Sequence, residues 1–147
     1  MQQTLEILAL VVVGTLVGAE FSVAAFFGPI LGRLPDDGFG AARAESARLF
    51  GRVMPFWYVA GWALLAGVAA VSGGSQRWLF GAGAVLMVVT VLLSVVVLVP
   101  INNRIAAWRN PGEASRALAA RWDRLHWLRV AILALVFVLL GLGCVNA

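Results

Sequence analysis

Four apolar runs alternate with short polar connections along this chain. They extend from about Thr4 to Ile30, Val53 to Val71, Trp78 to Val99 and Arg121 to Leu142, each near the roughly 20 residues that a transmembrane helix needs. The pattern predicts an all-α fold: one integral-membrane, antiparallel four-helix bundle over residues 1–147. Pro29 and Gly32 close the first run, and Leu34-Pro35-Asp36-Asp37-Gly38 reads as a turn in which Asp36 or Asp37 caps the next helix.

Residues 38–52 read as a separate amphipathic helix at headgroup level. Phe39, Ala42, Leu49 and Val53 form its apolar side, and Arg43, Glu45, Arg48 and Arg52 its polar side. Pro55 then kinks or starts the second span, where Phe56, Trp57, Tyr58 and Trp62 suggest an interfacial aromatic belt. Ser72-Gly73-Gly74-Ser75 closes that span. The third run is a plain lipid-packed helix, relieved only by Thr90 and Ser94, whose hydroxyls can bond back to the backbone. It ends at Pro100-Ile101-Asn102-Asn103-Arg104, where two amides enter near membrane depth.

Composition changes the picture mainly through charge. Hydrophobic residues make up 62% of the chain and charged ones 12%, so lipid is the main solvent. All eleven cationic side chains are arginines, ten of them in the stretches Arg33–Arg52 and Arg104–Arg129. Arginine concentrates in short cytoplasmic connections, so the first and third loops should face the cytoplasm, with both termini outside. The same bias accounts for the net charge of +4 without nucleic acid as a partner. The apolar start lacks a basic leader and carries Glu6, which disfavours a cleaved signal peptide. The lone cysteine, Cys144, allows no internal disulfide. Gly61, Gly67, Gly81 and Gly83 would let helices approach closely, and self-association is left open.

Three polar residues inside apolar runs are candidates for chemistry. Glu20 interrupts the first run, and a carboxylate there costs about 2.5–3.5 kcal/mol unless paired or neutralised, so it should face the bundle interior. Trp122, His126 and Arg129 are spaced i, i+4, i+7 and share one face of the fourth helix, whereas Asp123 lies off that stripe, placed to cap or pair with an arginine. His126, the single histidine, suits proton transfer or coordination, or an interfacial imidazole satisfied by headgroups or by Asn103. Arg129 needs an acceptor such as Glu20 or an anionic ligand, unless it snorkels to the interface. One histidine and one intramembrane carboxylate plus amides make a sparse ligand set, so a metal has little support and the sequence implies no cofactor. Nucleotide-binding, acyl-serine and CxxC motifs are missing.

The segments Val99-Pro100-Ile101-Asn102-Asn103-Arg104 and Arg121-Trp122-Asp123-Arg124-Leu125-His126-Trp127-Leu128-Arg129 resemble the DUF1772 or anthrone oxygenase-like family of small membrane proteins. The matching signatures are P-x-N (Pro100, Asn102) and W-x-x-x-H-x-x-R (Trp122, His126, Arg129). The resemblance implies oxidation of an anthrone by dioxygen without a recognised flavin, haem or metal motif. Under it His126 is the expected base and Arg129 the counter-charge of the substrate anion. Asn102 and Asn103 would donate to substrate oxygens, Trp122 would stack on the ring system, and Glu20 would orient His126 or pair with Arg129. The partners are then the bilayer and an apolar aromatic small molecule.

Two other readings remain at this point. A non-enzymatic membrane scaffold or lipid- or ligand-binding protein predicts a filled core, whereas ligand chemistry predicts a pocket of some 300 Å³ lined by Trp122, His126 and Arg129. A minimal transporter would need a polar track, for which the third run offers only Thr90 and Ser94.

Overall fold

The computed structural model describes residues 1–146. Its four long helices are α1 (Gln2–Gly32), α2 (Asp36–Val71), α3 (Gly74–Ala106) and α4 (Arg116–Val145). They run up and down in an antiparallel bundle in which α1 packs on α2 and α4, and α3 packs on α2 and α4. Each is long and apolar enough to span a membrane. One end of the bundle carries both termini and the tight Ser72–Gly73 turn, where Gly74 takes a φ of 53° that favours glycine. The other carries the connections 33–35 and 107–115, with one arginine each, and the arginine-rich helix turns that flank them.

The helices run further than the hydropathy alone suggests, which corrects several boundaries. Residues 38–52 are not a separate interfacial helix but the first turns of α2, a single helix of 36 residues, about 54 Å long. Their facing holds for Phe39, which is buried, and for Glu45 and Arg52, which are exposed, but differs at three positions. Arg43 is buried together with Phe39, Gly40, Ala44 and Ala47, whereas Leu49 and Val53 are exposed. The reason is a strong partner: both Nη atoms of Arg43 donate to Asp123 of α4, at 2.9 and 2.5 Å, and that bidentate ion pair outweighs what a leucine gains in a lipid-facing bundle. Asp36 and Asp37 sit in the first turn of α2 without capping it, because Pro35 occupies the N-cap. At α4 the cap is a side chain, with Ser115 accepting from the Leu118 amide.

Prolines shape α1 and α3 in the same way. In each, a π-helical turn, Val23–Phe27 or Ser94–Leu98, comes just before Pro29 or Pro100. Proline cannot donate to the carbonyl four residues back, and the wider turn absorbs that interruption without ending the helix. The third span is therefore not a plain rod.

Packing divides the bundle. Toward the termini, Ala9, Val13, Leu16, Leu65, Val68, Phe80, Met87, Leu133, Val136 and Leu140 fill the interior from all four helices. Gly143 allows the closest approach there: a Cβ on it would overlap the Phe80 ring. Toward the arginine-rich end a smaller cluster forms from Ala47, Leu98, Ile101, Ile105 and Trp122. Arg116 ties the loops together at that end, donating to the carbonyls of Gly32 and Leu34 and to Asp36. In the 107–115 connection, the Arg109 amide and the Asn110 side chain donate to Glu113 and hold its carboxyl below the usual glutamate range.

Candidate functional site

Side chains on helices tilt toward their own N-termini. In an antiparallel bundle, Glu20 on α1 and Tyr58 on α2 therefore lean toward each other from opposite ends. They meet between the two packed clusters: Tyr58 donates its hydroxyl hydrogen to Glu20 Oε1 at 2.6 Å. The other carboxylate oxygen accepts from Arg129 Nη2 at 2.8 Å. Glu20 and His126 are each 1% exposed, and Arg129 9%. This ion pair stands about 20 Å along α4 from its start, well inside the apolar layer. Pairing is what makes two such charges tolerable there.

His126 clasps the same network from behind. Its Nε2 lies 3.0 Å from the Glu20 backbone carbonyl, and since a carbonyl only accepts, Nε2 carries the proton. Nδ1 is left to accept from Arg129 Nη2 at 2.9 Å. The Glu20 carbonyl sits at the last turn before the π-helical segment and accepts from the Val23 amide as well. Trp122 stacks on the imidazole, with centroids 4.7 Å apart and planes 13° from parallel. The i, i+4, i+7 stripe thus acts as one unit. Trp122 presses on His126, His126 fixes Arg129 and α1, and Arg129 holds Glu20 and, through Nη1, the Ser94 hydroxyl at 3.3 Å. Ser94 in turn donates to the Thr90 carbonyl.

A cavity of about 200 Å³ opens beside this network between α2 and α3. Tyr58, Ser94, Trp122 and Arg129 form its polar and aromatic floor, and Asn102 stands toward the arginine-rich end. Val59 and Val95, at 64% and 58% exposure, flank its mouth, which places the opening on the lipid side of the bundle. Two distortions line it: Pro55, which deprives the Gly51 carbonyl of its helical donor, and the π-helical turn of α3. Trp122 Nε1 and Arg129 Nε are buried without a partner among the described residues. Such donors are uncommon in folded proteins, and both belong to residues that line the cavity.

The structure brings together Glu20, His126, Arg129 and Trp122, and keeps Asn102 at the cavity with its amide donating to the Ala47 carbonyl at 3.0 Å. It does not bring in Asn103, which is exposed and lines no part of the cavity. Nor does His126 reach the cavity surface, and both its nitrogens are engaged within the bundle. Headgroups and Asn103 are thus not what satisfies the imidazole. The cavity is also smaller than the 300 Å³ expected from the sequence. Sequence reading missed Tyr58, assigned to the aromatic belt because α2 was expected to start at Val53. In the full helix it lies 22 residues past Asp36, far below the interface, and the signal was a lone phenol needing a buried partner. Among the described residues no three His, Cys, Asp or Glu side chains gather.

Residues 45–139, about two-thirds of the chain, match the model of the family described as "Anthrone oxygenase". The matched segment contains Tyr58, Ser94, Asn102, Trp122, His126 and Arg129, and leaves out Glu20. No curated protein and no solved structure matches the chain.

Proposed function

The chain belongs to the anthrone oxygenase family, and from that premise we propose that it is a membrane enzyme that takes an anthrone-type apolar polycycle from the lipid and oxidises it with dioxygen. The observation that carries this reading is the lipid-side cavity floored by Arg129 and Trp122. A flat, largely apolar guest dissolved in the bilayer passes between Val59 and Val95 without crossing water. Removal of a proton from the carbon opposite the ketone leaves an anion whose charge rests on oxygen. Arg129 stabilises that oxygen in a low-dielectric site, where a preorganised donor is worth most. Trp122 gives a flat wall, and Asn102 lies at the polar end of the cavity. The electron-rich anion then reduces dioxygen. One oxygen atom becomes the new carbonyl and the other leaves as water, so the four electrons lost by the methylene carbon equal those taken up by dioxygen.

In this reading His126 positions Arg129 and α1 and does not act as the base expected from the sequence, because its only lone pair on nitrogen accepts from Arg129. A scaffold has no use for a lipid-side crevice floored by an arginine. A transporter fares worse: the polar cluster at the terminal end, where Gln2 donates to Glu6, is separated from Glu20 by fully buried Ala9, Val13 and Leu16. The positive-inside bias orients the arginine-rich end to the cytoplasm, with both termini outside.

Oxygen uptake and quinone formation by the protein in lipid discs supplied with anthrone test the proposal. Wild type turns over, and Arg129→Gln loses about 10²–10³-fold in kcat, the effect of removing one preorganised oxyanion donor. A wild type that neither binds nor oxidises anthrone refutes the assignment.

A further inference from the structure

The ion pair contains the one strong proton acceptor of the site, but the cavity does not reach it. Neither Glu20 nor His126 lines the cavity; of the groups in contact with the Glu20 carboxylate through a hydrogen bond, only Tyr58 and Arg129 do. Arg129 has no lone pair to receive a proton. The Tyr58 oxygen does, and its own hydrogen already points at Glu20 Oε1 across 2.6 Å. We propose that Tyr58 is a catalytic residue of this site, relaying the substrate proton to Glu20 from its position between the cavity and the carboxylate. This rests on the anthrone-oxidising reading above.

The step balances as a double transfer. The substrate C–H bond breaks, its electron pair stays on the ring system as the enolate, and the proton goes to Tyr58 Oη. At the same time the Tyr58 O–H bond breaks and its proton goes to Glu20 Oε1. Glu20 becomes neutral, Arg129 loses its internal counter-ion and acquires the substrate oxyanion in its place. One negative charge and one positive charge are present before and after, so no net charge is created in the apolar layer, where an unpaired ion is costly. After dioxygen adds to the oxidised carbon, the proton held on Glu20 returns through Tyr58 to the peroxide, which loses water to give the second ketone.

The sequence offers an unusual handle on this step, since Tyr58 is the only tyrosine in the chain. Hydrogen–deuterium exchange at the anthrone methylene, measured without oxygen in lipid discs, reads proton removal separately from oxidation. With Tyr58→Phe, anthrone binding stays within about threefold of wild type while enzyme-catalysed exchange falls by about 10²-fold or more, the usual contribution of a positioned acid or base. Replacement of the single tyrosine by fluorotyrosines of graded acidity leaves the ring shape nearly unchanged, and the exchange rate should then vary with phenol acidity. Exchange within threefold of wild type in a folded Tyr58→Phe protein, or a rate indifferent to fluorination, overturns the relay and leaves the oxygenase reading standing. A wild type inert toward anthrone in air overturns both.

Discussion

The two halves of the bundle use the same four helices for opposite ends. Toward the termini, α1 to α4 are regular, their contacts apart from the Gln2–Glu6 pair at the very end are Leu, Val, Phe, Met and small residues, and Gly143 lets Phe80 fill the last space. Toward the arginine-rich end, each of α1, α2 and α3 carries a proline, two carry π-helical turns, and the interior holds Arg43–Asp123, Glu20–Arg129 and a cavity open to lipid. In a bilayer, where lipid tails solvate leucine as well as a neighbouring helix does, dispersion and close packing must hold the regular half together. That half provides the rigidity against which the irregular half keeps costly features in place: freed carbonyls, buried charges and unfilled volume.

Variants that exchange the properties of the halves sharpen this contrast. Leu133→Ala, fully buried in the regular half, should lower stability by about 2–5 kcal/mol while turnover per folded molecule stays at the wild-type level, as read by denaturation in detergent beside activity in lipid discs. Gly143→Ala should follow with a loss of about 1–3 kcal/mol, because the added methyl displaces Phe80. If either change removed turnover from folded protein, the halves would not be separable.

The smallest effect belongs to the irregular half. In His126→Gln the amide can still donate to the Glu20 carbonyl and accept from Arg129, so kcat should stay within about tenfold of wild type, equal to about 1.4 kcal/mol. A general base would instead cost about 10²–10⁴-fold, and a loss of that size would return His126 to the catalytic role.

Legibility followed the same division. Four spans and the antiparallel bundle could be read from hydropathy, a property of single segments, and the cost of a lone charge in lipid offered Glu20 as one acceptor for Arg129 beside an anionic ligand or the interface. The shared face of Trp122, His126 and Arg129 followed from helical spacing alone. What escaped were facts set by partners on other helices: Arg43 turned inward because Asp123 awaits it, Asn103 turned out, and Tyr58 read as interfacial until α2 proved continuous through Pro55. Helix distortions at Val23–Phe27 and Ser94–Leu98 were also illegible, since proline marks an interruption without saying whether the helix ends or widens.

The claim on which the rest stands is that the aromatic guest occupies the crevice between α2 and α3 against Arg129. A photoreactive anthrone analogue, cross-linked in lipid discs and mapped by mass spectrometry, tests it most directly. The account predicts adducts within residues 50–59 and 91–102, competed away by anthrone. Adducts confined to the lipid-facing tryptophans Trp62 and Trp78, or indifferent to competition, would contradict it.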